Sequence, residues 1–232
     1  MDDTIRKMKN VFICGDPHGE FAHILDAAKE HRPDAVILLG DNTPRRALDQ
    51  ELAPILSLTA VWWIVGNHDT DEVAYYDNQF GSPLANRNLD GRVVEIAGLR
   101  VAGLGGVFRT KVWNDPSAES PEAYLKICGK GNRWRGGLPL KHRSTIFRSQ
   151  VAILSKQRAD VLVTHEAPDL HPHGSAVLAD LAANLRVKHA LHGHHHIDRK
   201  YDGGVWVGVG LRGIVSLDGE VIRPGEPDTP RY

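Results

Sequence analysis

Residues 35–42 read Ala-Val-Ile-Leu-Leu-Gly-Asp-Asn: five apolar residues in a row, stopped by a glycine and two polar side chains. A short, continuously apolar run of this kind fits a strand covered on both faces, as in parallel sheets. The same pattern occurs on either side. Val11–Cys14 runs into Gly15-Asp16-Pro17, and Ala60–Val65 runs into Gly66-Asn67-His68-Asp69. Between the first two runs lies Glu20–His31, whose apolar Phe21, Ile24, Leu25 and Ala28 have the spacing of an amphipathic helix. A second helical stretch is expected at about Arg46–Leu58. Strands alternating with helices predict a parallel sheet with crossover helices, an α/β fold.

Further along, Arg92–Ile96 and Leu99–Leu104 read as a hairpin around Ala97-Gly98. Residues 107–145 read as irregular, rich in glycine and proline. A helix at about Thr145–Gln157, a strand at Val161–Thr164 before His165, a helix at Ser175–Leu185, and Ala190-Leu191-His192 before Gly193 continue the alternation. Gly204–Val209, Gly213–Leu217 and Glu220–Ile222 read as antiparallel strands, and the Pro-rich 223–232 as a loose tail.

A chain of 232 residues with no internal repeat is long enough for one substantial core. Its formal net charge of -1 argues against a protein that coats a polyanion through many phosphate contacts. Two cysteines, Cys14 and Cys128, do not make a disulfide framework, which points to a reducing compartment. Residues 1–10 lack the apolar stretch of a secretory signal, and no run of apolar residues reaches membrane-spanning length, so a cytoplasmic, membrane-free protein is expected. The unusual feature is histidine: 13 in all, four of them within His192–His196.

Five polar clusters stand at five expected strand ends: Asp16-Pro17-His18, Gly40-Asp41, Gly66-Asn67-His68-Asp69, His165, and Gly193-His194-His195-His196. Ligands of open α/β sheets bind beyond the carboxyl ends of the strands, so these clusters are expected to converge on one sheet edge. Carboxylates, imidazoles and an amide are donors for divalent transition metals. In an extended loop, residues i and i+2 point the same way. That alternation predicts that Asp16 and His18 share an ion, and that His194 and His196 lie together with His195 turned away. Asp16, His18, Asp41, Asn67, His165, His194 and His196 are too many donors for one tetrahedral site and suit two ions joined by a bridging carboxylate. Paired ions about 3.5–4 Å apart are the usual apparatus of phosphoryl displacement.

In this order, D-x-H at 16–18, GD at 40–41, GNHD at 66–69, a lone His165 and GHxH at 193–196 resemble the calcineurin-like metallophosphoesterases. The resemblance runs from Asp16 to His196, with 25 residues from Asp16 to Asp41 and 26 from Asp41 to Asn67. It implies a four-layer α/β/β/α sandwich, one domain spanning residues 1–232. It implies one metal on Asp16, His18 and His196, another on Asn67, His165 and His194, and Asp41 bridging. The ions fit manganese, iron, zinc, cobalt or nickel. It implies that a metal-bridging hydroxide attacks a phosphoester, monoester or diester. His68 would stand beside the phosphate to stabilise charge and protonate the leaving group, oriented by Asp69.

Gly15-Asp16-Pro17-His18-Gly19 looks like the opening motif of phosphoprotein phosphatases and diadenosine tetraphosphate hydrolases, which also carry an arginine where Arg45 stands. Arg45, with Asn67, is therefore a candidate phosphate contact. The likeness to that subgroup stops at His165, which Glu166-Ala167-Pro168 follow instead of paired glycines, and Pro44 stands where purple acid phosphatases place a tyrosine ligand.

Segment 107–148 carries nine basic residues against three acidic ones, with Trp113 and Trp134 among them. It reads either as a lid that selects a nucleotide, phosphoprotein, other phosphorylated small molecule or nucleic-acid strand, or as a solvated basic loop whose tryptophans pack on the sandwich. The competing functional readings are a nuclease or nucleotide pyrophosphohydrolase that uses this segment, and a metal-binding scaffold without turnover. His171 and His173, in the loop after His165, read either as lining the site or as facing solvent, the second being expected, and Cys14 is expected to be a buried apolar side chain.

Overall fold

The structure, a computed structural model, describes residues 10–201 and 203–227. Residues 1–9 and the end of the expected tail, 228–232, lie outside the described residues.

Two sheets face each other. The first joins β1 (Val11–Cys14), β2 (Ala35–Leu38), β3 (Ala60–Trp63), β10 (Ile214–Ser216) and β11 (Val221–Arg223) in the order β11-β10-β1-β2-β3. The second joins β4 (Arg92–Ile96), β5 (Leu99–Leu104), β6 (Val161–Thr164), β7 (His189–His192), β8 (Arg199–Lys200) and β9 (Trp206–Gly208) in the order β4-β5-β6-β7-β9-β8. The runs β1–β2–β3 and β5–β6–β7–β9 are parallel, and antiparallel strands form every sheet edge except that of β3.

Side-chain alternation sorts the apolar residues into three cores. Val11, Ile13, Ile37 and Leu39 meet Val101, Val161, Val163 and Leu191 between the sheets. Phe12, Cys14, Val36, Leu38 and Trp63 point outward onto Phe21, Ile24, Ala28, Leu48 and Leu52. Ala102, Leu104, Leu162 and Ala190 point outward onto Leu154, Leu178, Leu181 and Leu185. Helices therefore cover both outer faces, and the architecture is the expected α/β/β/α sandwich. Continuously apolar strands were its signal, because each one is buried on both sides.

The differences in detail have physical causes. The stretch expected to be helical at 46–58 is only Leu48–Glu51 and a 3₁₀ turn, Ala53–Ile55. Pro54 has no N–H to donate, so the α-helix stops before it. The chain at 204–209 does not pair with 213–217: β9 lies in the second sheet, parallel to β7, and β10 lies in the first, antiparallel to β1. The expected loose tail is anchored at its start. Arg223 pairs with Ile214, the Gly225 N–H donates to Asp198, and Glu226 joins Arg212 at 2.8 Å and Arg223 at 3.0 Å.

The 107–148 segment contains short helices at Thr110–Trp113 and Pro121–Ile127. Its arginines are engaged with the protein. Arg135 holds Asp77 through two hydrogen bonds of 2.6 and 2.8 Å, and Arg143 reaches the Tyr76 hydroxyl at 2.8 Å. Both guanidinium groups also flank the Trp134 ring. Arg148 donates to the carbonyls of Trp113 and Asp115, Arg133 to that of Leu125, and Arg109 to that of Lys141. Five arginines thus tie the segment to itself and to helix Val73–Phe80.

Candidate metal centre

The five polar clusters follow β1, β2, β3, β6 and β7, so three come from the first sheet and two from the second. They meet where the carboxyl ends of the two sheets come together. Asp16, Asp41 and His165 are buried, while His18, Asn67, His194 and His196 are half-buried.

Two donor groups form there: Asp16, His18 and His196, and Asp41, His165 and His194. In the first, the Nε2 atoms of His18 and His196 are 3.2 Å apart, and Nε2 of His196 is 3.2 Å from Oδ2 of Asp16. In the second, Nε2 of His165 lies 3.5 Å from Oδ2 of Asp41 and 3.1 Å from Oδ1 of Asn67. Donor atoms bound to one ion at about 2.1 Å sit roughly 3.0–3.5 Å from one another, so these separations fit divalent ions. Oδ2 of Asp41 is also 3.9 Å from Nε2 of His18, which puts one carboxylate oxygen between the groups. Oδ1 of Asp16 is buried without a hydrogen-bond partner, an arrangement that an ion would relieve.

The backbone aims these donors. His18, Asp41, His194 and His196 all have positive φ, between 46° and 68°. The loops are therefore curled, not extended, and His194 and His196 reach the site in different donor groups, with His195 in neither. His196 joins Asp16 and His18, and His194 joins Asp41 and His165. His195 is turned away from both groups and stacks on His171, with ring centroids 3.8 Å apart. His171 is accordingly buried, against the solvent-facing expectation, while His173 is exposed as expected. Gly66 and Gly193 permit the close approach. A Cβ on Gly66 would stand 2.2 Å from Oδ1 of Asp41, and one on Gly193 would stand 2.3 Å from Oδ1 of Asp16.

Hydrogen bonds orient the donors further. Nδ1 of His165 donates to the Leu39 carbonyl at 2.8 Å, leaving Nε2 for the site. The His194 N–H donates to Oδ2 of Asp16 at 2.8 Å, and the His68 N–H to Oδ1 of Asp41 at 2.7 Å. Burial pushes the Asp41 carboxyl up, but the charge and hydrogen bond of His165 outweigh it and hold Asp41 well below the usual carboxylate range. The site therefore keeps an ionised carboxylate at its centre.

The His68 ring lies beside His18, with centroids 5.6 Å apart, and its side chain is 44% exposed. Its partner is Asp71, whose Oδ2 lies 2.6 Å from Nδ1. Asp69, expected to orient that ring, is fully buried and turned away. It accepts from the N–H groups of Thr43 at 2.7 Å and Gly66 at 2.8 Å. Burial, and then the charge of Asp41, push its carboxyl up to about 7. Arg45 is exposed and forms an ion pair with Glu20 at 3.1 Å. Cys14 is fully buried, and burial pushes its thiol up, so it stays a neutral apolar group.

Sequence reasoning missed Asp71 and Glu166. Asp71 had a signal: a 3₁₀ turn at His68–Thr70 brings residue i+3 back to i. Glu166 was noted only as a departure from paired glycines. It is buried beside His194 and His195, 3.9 and 3.5 Å from their Nε2 atoms.

A family model described as calcineurin-like phosphoesterase matches residues 9–198. A protein of Haemophilus influenzae (strain ATCC 51907 / DSM 11121 / KW20 / Rd), described only as uncharacterized, is 41% identical over 219 residues, 91% of this chain and 96% of its own. The crystal structure of TT1561 of Thermus thermophilus superposes with a TM-score of 0.55 at 16% identity, covering 89% of this chain and 93% of that one, a likeness of fold alone. Among the described residues, no helix is long and apolar enough to cross a membrane.

Proposed function

Because the chain belongs to the calcineurin-like phosphoesterase family, we propose that it hydrolyses a phosphomonoester or phosphodiester with two divalent metal ions at the sheet edge. The observation that carries this reading is the pair of donor groups meeting at Oδ2 of Asp41. Asp16, His18 and His196 would hold one ion, Asn67, His165 and His194 the other, with Asp41 between them. Mixed nitrogen and oxygen donors suit manganese, iron, zinc, cobalt or nickel. Ions bound there would supply Lewis acidity, lowering the pKa of a bound water and offsetting charge on phosphoryl oxygens.

The protein's own groups supply the rest. His68 stands beside the first donor group, and Asp71 accepts from Nδ1, which would leave Nε2 for the substrate. From there it would stabilise charge on the phosphate and protonate the departing oxygen. The Asn67 amide, next to His68, would contact the phosphate as well as the second ion. Arg45 would clamp a phosphate oxygen after leaving Glu20, with which it pairs at 3.1 Å. Asp69 supports the reaction indirectly, by holding the 41–43 and 66–69 turns together. Two free cysteines favour a reducing, cytoplasmic setting.

The test is a substrate panel on manganese-reconstituted protein: p-nitrophenyl phosphate, its bis ester, nucleotides, dinucleoside polyphosphates and a phosphopeptide. Turnover of at least one is expected. No turnover of any, with two ions bound, would sink the catalytic reading in favour of a metal-binding scaffold.

A further inference from the structure

On the outer side of His194 lies a third donor group that the two-ion reading does not use. Glu166 is 7% exposed. The hydrogen bond to its carboxylate is a long one, 3.4 Å from the adjacent Ala167 N–H. A buried carboxylate without a cationic side chain or well-placed donors is costly. What faces it are imidazoles. Oε1 of Glu166 stands 3.5 Å from Nε2 of His195 and 3.9 Å from Nε2 of His194, and a donor atom from each of the three residues lies within 4.8 Å of the others. These are close to the edge lengths of a tetrahedral site, about 3.4 Å for bonds of about 2.1 Å. Nε2 of His195 is buried, and among the described residues the group facing it is Oε1 of Glu166, at 3.5 Å.

We propose that Glu166, His194 and His195 form an outer site for a divalent transition-metal ion, distinct from the two inner positions. Two imidazoles and one carboxylate are a facial donor set that leaves positions open for water or a further ligand. His195 is held for this role. Its ring stacks on buried His171 at 3.8 Å and 19°, and the His173 N–H donates to Nδ1 of His171 at 3.2 Å, which fixes the supporting ring. The ring of His194 has two nitrogens. With Nε2 turned to Glu166, Nδ1 would be left for the inner group, so that one imidazole would join the outer ion to the inner pair. The proposal rests on the two-ion reading only through this shared residue.

The experiment counts zinc. Metal-free native chain, His195→Gln and Glu166→Gln are dialysed against excess zinc and analysed by elemental mass spectrometry, with thermal unfolding to confirm that each variant is folded. The native chain is expected to bind one zinc ion more than either variant. Equal counts in all three overturn the outer site, whatever their value. A native chain that binds a single ion, lost in both variants, supports the outer site and sinks the two-ion reading. Should a variant fail to fold, a cobalt titration of the native chain decides. A final equivalent that adds visible absorption from imidazole-bound cobalt beyond the inner pair is expected, and no such step overturns the proposal.

Discussion

Nδ1 of His68 lies 2.6 Å from Oδ2 of Asp71, three residues ahead in the same 3₁₀ turn. The carboxylate next to His68 in sequence, Asp69, points into the protein and accepts backbone N–H groups from two separate turns. One residue thus orients the imidazole, and its neighbour builds the loop that carries it.

These roles separate by mutation. His68→Ala should keep both inner ions and lower kcat by roughly 10²-fold or more on an ester with a poor leaving group. Asp71→Asn should lower kcat on that ester about tenfold, with less effect on p-nitrophenyl phosphate, whose leaving group needs little protonation. Equal losses on both substrates would remove leaving-group protonation from the account.

Asp69→Ala acts on stability instead. It leaves the buried N–H groups of Thr43 and Gly66 unpaired, at about 1–3 kcal/mol each. Urea unfolding should show a midpoint well below that of the native chain. An unchanged midpoint would mean that water replaces the carboxylate.

Gly193→Ala and Gly66→Ala test the metal geometry. The new methyl would collide with a carboxylate oxygen of Asp16 or Asp41 at 2.3 or 2.2 Å. Each variant should hold fewer ions than the native chain after dialysis against sub-saturating manganese. Native-like occupancy would mean that the carboxylates can bind metal from another position.

His23 gives a pH signature away from the metals. Burial, and then the positive charge of Arg223, lower its imidazole to about 4, against an ordinary 6.5. A histidine depressed in the folded state keeps its full contribution above pH 6.5 and loses it as pH falls toward 4. Native protein should therefore lose up to roughly 3 kcal/mol over that range that His23→Gln does not lose. Parallel stability curves for the two proteins would show that His23 does not titrate differently on folding.

The 107–148 segment predicts weak nucleic-acid binding. Arginines engaged with Asp77, Tyr76 and main-chain carbonyls are not free for phosphates. Affinity for a single-stranded oligonucleotide should change less than tenfold between about 50 and 200 mM salt, where a protein with many phosphate contacts loses about 10³-fold or more. A steep slope would restore the strand-binding reading.

The residues that were legible in the sequence share a cause. Asp16, Asp41, Asn67, His165, His194 and His196 each follow a strand, and a strand buried on both faces is visible as an unbroken apolar run. What was not legible depended on backbone curl. Positive φ at His194 and His196 sends alternate residues to different donor groups, a split that the resemblance implied and strand alternation did not. The turn at His68 gives Asp71 the place beside the imidazole that was expected of Asp69. The basic excess of 107–148 was countable, but its partners came from helix Val73–Phe80 and from the segment's own carbonyls, which pattern does not reveal.

The donors come from both sheets: Asp16, Asp41 and Asn67 from the first, His165 and His194 from the second. Ions held by both would clasp the two halves of the sandwich across their open rim, much as a crosslink does, in a protein whose two cysteines are unbridged. Loading with metal would then be a mechanical event for the whole molecule. Chelation should loosen the seam between the sheets first, and amide exchange in β2 and β6 should quicken before that of the outer helices.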